Sequence, residues 1–172
     1  MKEFFDVYDK DRTLTGQTRP RGTGLGDNEH RLVIHICIFN SKGEMLLQQR
    51  AAEKDLWPNF WDISSGGNAI AGENSAQCAR RELFEELGVD VDFGNIRPHF
   101  TINFPNGFDD YYFVQKDLDL GSLTLQKSEV QSVRWASREE VKRLFDENKF
   151  LPYIESFILS LFDLRTQYGV IT

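Results

Sequence analysis

Cysteine is nearly absent from the chain: Cys37 and Cys78 are the only two among 172 residues. Two thiols cannot build a cysteine metal site alone, and in a reducing compartment they are expected as buried free thiols rather than a disulfide. Histidine is as scarce, and His30, His35 and His99 fall at no metal-ligand spacing. His35, inside an apolar strand pattern, reads as a hydrogen-bonded core histidine, and His30 as the end of a loop that could approach a site. No apolar run nears the ~18 residues of a membrane span. Basic residues lack the majority that nucleic acid or an anionic membrane demands, because 20 Lys and Arg stand against 27 Asp and Glu, a net charge of −7. Neither is therefore an expected partner, and a small anionic substrate needs a local cation. Met1-Lys2-Glu3-Phe4-Phe5-Asp6 lacks the basic, apolar and small-residue order of a secretory signal, so a cytoplasmic protein is expected.

What is present is ordinary for a folded domain. Hydrophobic residues make up 40% and charged residues 27%, and at about 100–200 residues per domain the length predicts one domain over 1–172. Phe4, Phe5, Val7 and Tyr8 predict a strand that turns at Asp9–Asp11 and returns through Gln17–Arg19, so residues 1–28 are expected as a peripheral hairpin and loop. Leu32, Ile34, Ile36 and Ile38 alternate with Val33, His35, Cys37 and Phe39, which predicts a strand over Arg31–Phe39 covered on both faces. Asn40-Ser41-Lys42-Gly43 turns it into a strand over Glu44–Gln49, and a short strand is expected near Asp62–Ser64. Trp57, Trp61 and Trp135 read as packing aromatics.

Asn74, with Gln77 three residues on, caps a helix whose Ala76, Ala79, Leu83 and Leu87 share a face and which Gly88 ends. Strands are expected over Ile96–Phe104, Phe108–Gln115 and Val130–Trp135, with Asp109-Asp110 read as an exposed turn or as a contact to substrate or an extra metal. Ser137 with Glu140 boxes the start of a helix through Val141, Leu144 and Phe145, and Pro152 opens a last one through Ile154, Phe157, Ile158 and Leu161. Residues 137–172 are thus expected as helices that fold back or meet a second copy, which leaves monomer and homodimer open. The order predicts a mixed α/β (α+β) fold, a mixed β-sheet sandwiched between α-helices.

Chemistry is concentrated in Gly67–Val89, GNAIAGENSAQCARRELFEELGV. Glu82, Glu85 and Glu86 share a helix face with Cβ atoms roughly 5–6 Å apart, so three carboxylates repel one another there. Arg81, four residues before Glu85, does not balance all three and Glu73 as well. A hard divalent cation does, and Mg²⁺ is typically held by a few carboxylates, waters and substrate phosphates, with Mn²⁺ an alternative for the same oxygens. A solvated acidic face is the plain alternative. The whole spacing decides: Gly67, five residues, Glu73, seven, Arg81-Glu82-Leu83, one, Glu85-Glu86, one, Gly88-Val89. Seven of these positions, Gly67, Glu73, Arg81, Glu82, Glu85, Glu86 and Gly88, at about 6% each, coincide by chance on the order of once in 10⁶ chains of this length.

This spacing resembles the signature of the Nudix hydrolase family at every position. The resemblance implies the Nudix fold and hydrolysis of a diphosphate linkage attached to another moiety. It also implies metal ligation by Glu82, Glu85, Glu86 and the Gly67 carbonyl, with Arg81 and Glu73 orienting them. The general base is then Glu85 or Glu86, or Glu129 just before the Val130–Trp135 strand.

A longer resemblance, from about Phe5 to Phe145, includes IFNSKGEMLLQQRAAEKDLWPNFWDISSGG and points to the subgroup similar to isopentenyl diphosphate isomerase. Arg50 and Lys54 match positions that contact the diphosphate in those relatives. Isomerases of this kind carry cysteine-glycine-histidine after the tryptophan strand, where this chain has Gly66-Gly67-Asn68. Isomerisation is therefore the alternative to hydrolysis, and a non-catalytic module binding a diphosphate metabolite is another. Such modules usually lose a motif carboxylate, and none is lost here. The expected partner is a small-molecule diphosphate.

Overall fold

The apolar run Arg31–Phe39 becomes the spine of the main sheet. In the computed structural model, which describes residues 3–169 and 171, β1 (Phe4–Tyr8) and β2 (Leu14–Pro20) form an antiparallel ribbon. β3 (Arg31–Phe39) follows, then β4 (Met45–Arg50), β5 (Trp61–Asp62), β6 (Ser65–Asn68) and α1 (Ser75–Leu87). β7 (Phe100–Phe104), β8 (Gly107–Gln115), β9 (Val130–Ala136), α2 (Arg138–Asp146) and α3 (Glu155–Leu164) complete the chain.

One edge of β3 is paired in parallel with β8 along its whole length, from Arg31↔Gly107 to Phe39↔Gln115. Its other edge is shared. β6 pairs antiparallel with Val33–Ile36, whereas β4 meets β3 at Phe39↔Met45 and then leaves it to pair with β5 and β9. The sheet forks, and Ser64 sits in the fork: its hydroxyl accepts from the Ile38 N–H at 2.8 Å and donates to the Leu46 carbonyl at 2.7 Å. The expected strand at Asp62–Ser64 is therefore two short strands separated by this bridge.

The two parities of β3 face different layers. Leu32, Ile34, Ile36 and Ile38 pack with Cys78, Ala79, Leu83 and Leu87 of α1. Cys37 and Phe39 pack with Val141 and Leu144 of α2 and Ile158, Leu161 and Phe162 of α3. The fold is the expected sheet between helices, and each buried Leu, Ile or Phe contributes about 1.5–3 kcal/mol. Both cysteines are buried and unpaired.

Local chemistry sets the ends of α1. Asn74 accepts from the Gln77 N–H and Gln77 returns the bond to the Asn74 N–H, both at 2.9 Å. Gly88 closes the helix at φ 71°, where a side chain would be strained, and a Cβ there would meet Thr124 at 2.9 Å.

Several boundaries differ from expectation for identifiable reasons. β7 starts at Phe100 rather than Ile96, because the Ile96 N–H turns back to the Phe93 carbonyl and Pro98 offers no ladder donor. α3 starts at Glu155 rather than Pro152, because Leu151 donates to the Trp61 carbonyl and holds that stretch beside β5. Asp109-Asp110 is no exposed turn; it lies within β8, and Asp110 is fully buried. The N-terminal ribbon also does more than lie on the periphery. Phe5 and Val7 are buried, the Phe4 carbonyl accepts from Ala71, and Asp6 accepts from the Gly72 N–H at 2.7 Å. These contacts grip the loop that leads into α1.

Candidate active site

α1 carries its glutamates to the fork in the sheet. Glu82 and Glu86 lie one turn apart on its buried side. The Glu82 carboxylate rests directly on the β6 backbone, where a Cβ at Gly67 would come within 2.2 Å of Oε1. Only glycine leaves room for that approach.

Arg81 is clamped from several directions. Its Nε and Nη2 donate to Glu73 at 2.7 and 2.9 Å, the paired geometry that fixes a guanidinium plane. Nη2 also reaches the Asn68 carbonyl at 3.1 Å, while Nη1 lies 3.0 Å from Glu85 Oε2 and 2.9 Å from Glu82 Oε1. Glu73 accepts from the Ile70 N–H at 3.0 Å. The pair thereby ties the loop between β6 and α1 to the helix that bears the acids.

Glu86 has no such compensation. Its hydrogen-bond donor is the buried Gln48 amide at 3.3 Å, and no cation pairs with it among the described residues. Burial pushes its carboxyl up to about 8 against the opposing pull of the Ser65 hydroxyl beside it, and the charges of Glu82, Asp62 and Glu129 add to the rise. Burial also raises the Glu82 carboxyl, against the opposing pull of Arg81. The Ser65 hydroxyl lies beside Glu86, yet its oxygen is buried without a hydrogen-bond partner, as is Asn68 Oδ1.

Glu85 differs from its neighbours. Its side chain is 48% exposed and turned to Arg81. The structure thus gathers Gly67, Glu73, Arg81, Glu82 and Glu86, while Glu85 stands on the outer flank. Among the described residues no three acidic, histidine or cysteine side chains group tightly enough to cage an ion unaided. Buried, underpaired carboxylates beside a backbone strand and an orphaned hydroxyl fit an oxygen-seeking cation that completes its shell with carbonyl, water and substrate oxygens.

The end of β4 and the loop after it supply the opposite charge. Arg50 Nε donates to the Leu56 carbonyl at 3.2 Å, and its Nη1 lies 3.9 Å from Asp62. Lys54 Nζ reaches Glu129 Oε2 at 2.5 Å, and the Ala51 N–H donates to the Glu129 carbonyl at 2.8 Å. The two expected cations and the outlying glutamate therefore share one cluster. Arg50 and Lys54, with Lys127 and Ser128, line a cavity of about 710 Å³.

Sequence reasoning missed Gln48, Asp62, Ser65 and Lys127. Gln48 and Asp62 face each other across β4 and β5, and both are buried. The available signal was a polar residue inside an otherwise apolar strand. Arg21, paired with Glu3 at 2.6 Å, was also missed, and its charge favours the ionised form of Glu82. Trp61 lies under the Arg134 guanidinium at 4.4 Å, whereas Trp57 is 43% exposed and does not pack in the core. His30 stacks on Phe108, and its backbone pairs with Tyr8.

Comparison with known proteins agrees with this architecture. Residues 29–156 match the NUDIX domain family. An uncharacterized Nudix hydrolase of Listeria monocytogenes is 46% identical over 163 residues, covering 95% of each chain. An isopentenyl-diphosphate delta-isomerase of Aspergillus fumigatus is 26% identical, over 90% of this chain and 68% of its own. A crystal structure from Deinococcus radiodurans shares the fold at a TM-score of 0.75 and 20% identity, covering 96% of this chain and 100% of that one. With an intact motif folded as loop, helix and loop, and relatives along nearly its whole length, the chain belongs to the Nudix hydrolase family.

Proposed function

We propose that the protein is a Mg²⁺-dependent, cytoplasmic hydrolase that cleaves a diphosphate linkage in a nucleoside diphosphate derivative or a related small diphosphate metabolite. The observation that carries this reading is Glu86, a buried acid with no cation paired to it among the described residues, beside Glu82 and the Gly67 strand. Glu82, Glu86 and the Gly67 carbonyl would hold the ion, with Glu85 joining from the flank. Mg²⁺, or Mn²⁺ in the same oxygen set, supplies neutralisation of the diphosphate oxygens and activation of water.

The chain's own groups do the rest. Arg81, fixed by Glu73, holds Glu82 and Glu85 in orientation. Arg50 and Lys54 attract and align the diphosphate from the opposite loop. Glu85, Glu86 and Glu129 are the groups available to take the proton of the attacking water. Glu129 is held in place by Lys54 and by the Ala51 N–H, so loading a diphosphate onto Lys54 would release its carboxylate.

The alternatives, isomerisation and binding without turnover, have less support. Gly66-Gly67-Asn68 lacks the cysteine and histidine of the isomerases, and every motif carboxylate is present. The test is phosphate or nucleotide release from a panel of diphosphate compounds with Mg²⁺, beside Glu85→Gln, Glu86→Gln and Glu129→Gln proteins. Isopentenyl diphosphate belongs in the panel, with its allylic isomer monitored. Metal-dependent cleavage that collapses in the motif variants is expected. Appearance of the isomer without cleavage sinks the hydrolase reading, and tight binding without either product points to a binding module.

A further inference from the structure

The sheet face that packs on α2 holds a cationic cavity that the reaction described above does not use. Arg134 of β9 stands opposite Leu47 of β4, and Trp61 of β5 stands opposite Gln49. Leu47 belongs to the layer of α2 and α3. Gln48, one residue on, turns its amide to Glu86 on the other face. Arg134 and Trp61 therefore sit on the side of the sheet away from the motif glutamates. With Glu140, Arg143, Glu147 and Lys149 they line a cavity of about 220 Å³.

The Arg134 guanidinium lies over the Trp61 ring, 4.4 Å from its centroid. That contact uses the flat face of the cation and leaves its N–H edge. Nε is buried without a hydrogen-bond partner. The two acids of the cavity are engaged elsewhere. Glu147 pairs with Lys149 at 2.7 Å, while Glu140 lies 3.9 Å from Arg143 and accepts from the Ser137 N–H through its other oxygen at 2.7 Å. Among the described residues no acid pairs with Arg134. The positive charges still converge on one place: Lys149 above all, with Arg143 and Arg134 behind it, holds the Glu147 carboxyl below its ordinary value.

We propose that this cavity is an accessory site for inorganic phosphate, bound at the edge of Arg134 with Arg143 and Lys149 turning in from the rim. A guanidinium carries donors alone, so its ligand brings acceptors, and the paired N–H edge matches two oxygens of one phosphate. A carboxylate offers the same bite but less charge to three cations. The cavity is smaller than the ~300–1,000 Å³ that enclose drug-sized ligands, which favours the free ion over a phosphate carried on a nucleoside. The rim pairs are exposed and weakly held, so Arg143 and Lys149 exchange their acids for the ion at little cost. Neither Arg50 nor Lys54 lines this cavity, and the site is independent of the hydrolase reading.

The experiment is a nuclear magnetic resonance titration of the metal-free protein with inorganic phosphate, following the Trp61 indole N–H and the Arg134 Nε–H. Trp61→Phe and Arg134→Gln assign the two signals. Both are expected to shift saturably at millimolar phosphate, and sodium chloride at matched ionic strength is expected to move neither. Read at Trp61, Arg134→Gln is expected to weaken binding about tenfold or more, the loss of a charge-assisted contact. Lys149→Gln, an exposed change that leaves the Trp61 stack in place, is expected to weaken it in the same direction. Arg50→Gln should leave it within about twofold, and adenosine 5′-monophosphate should reach these two signals less tightly than phosphate. Absence of a saturable shift, or an equal response to chloride, overturns the proposal. So does affinity that survives both Arg134→Gln and Lys149→Gln, affinity that is lost in Arg50→Gln, or tighter binding of the nucleotide at these signals.

Discussion

Asp110 and Glu86 are both buried acids, each joined to an end of the same helix, and the protein treats them in opposite ways. Asp110 sits fully buried in β8, where Arg12 Nη1 donates to it at 2.8 Å and the Thr101 and Ser75 hydroxyls donate at 2.5 Å. Ser75 is the first residue of α1 and in turn accepts from the Tyr112 hydroxyl at 2.8 Å. The charge of Asp110 is thus answered by side chains alone, and the knot pins the N-terminal turn, two strands and the start of α1. Three turns further on, Glu86 meets one amide and, among the described residues, no cation. A carboxylate that the fold has neutralised belongs to the architecture. One that it leaves underpaired, at the cost of burial, fits the external cation proposed for this site.

Neutralising each acid in turn tests that contrast. Glu86→Gln is expected to lower kcat/KM by about 10³-fold, in the range found when a group that stabilises transition-state charge is removed, while the metal-free protein keeps or gains stability. Retained activity in a steady-state assay would show that Glu86 is only structural. Asp110→Ala is expected to act in the other direction. Leaving Arg12 unpaired and partly buried costs about 3–5 kcal/mol, read as a lowered denaturant midpoint, and any protein that remains folded should retain metal-dependent turnover. A variant that unfolds at its normal midpoint would break the comparison.

The same contrast explains how much of the molecule was legible in its sequence. Local signals were read well: the Asn74–Gln77 and Ser137–Glu140 boxes and the Gly88 stop all form as their spacing predicts. Gly67, Glu73, Arg81 and Glu82 come together because a short loop and one helix carry them. Asp110 was misread because its cation, Arg12, lies 98 residues away in sequence and no local pattern announces it. Gln48 and Asp62 escaped for a similar reason, since a fork between strands, invisible to periodicity, brings the Gln48 amide to Glu86, and the Tyr153 hydroxyl that binds Asp62 lies 91 residues away. Periodicity also placed three glutamates on one face, yet Arg81 draws Glu85 outward. Helical spacing sets direction, but the partner decides where the carboxylate rests.

Arg81 bridges the two regimes, and Arg81→Lys sharpens the distinction between charge and geometry. Lysine keeps the positive charge but cannot make the paired contact with Glu73 while also reaching Asn68, Glu82 and Glu85. The expected result is a fall of about 10–100-fold in activity or metal affinity, as for other groups that orient metal ligands, with little change in the unfolding midpoint. Metal titration followed by turnover distinguishes the two. An unchanged apparent metal affinity and rate would mean that the bulk charge of Arg81, rather than its fixed plane, sets the glutamates.

The smallest expected effect concerns pH, and it follows from Glu86. Glu86 has its carboxyl raised from an ordinary 4.5 to about 8 in the folded protein. Between those values the folded state holds a proton that the unfolded state has released. Its contribution is therefore fully present below about pH 4.5, falls as pH rises, and is gone above about pH 8. Raised Glu82 acts in the same direction. The metal-free protein should lose a few degrees of thermal midpoint between about pH 6 and pH 8.5, and Mg²⁺ should restore more of it at the higher pH, where the carboxylate is already ionised. Glu86→Gln should flatten the profile. A midpoint that rises across this window, or a slope that survives the substitution, would show that Glu86 is not the acid the fold leaves unanswered.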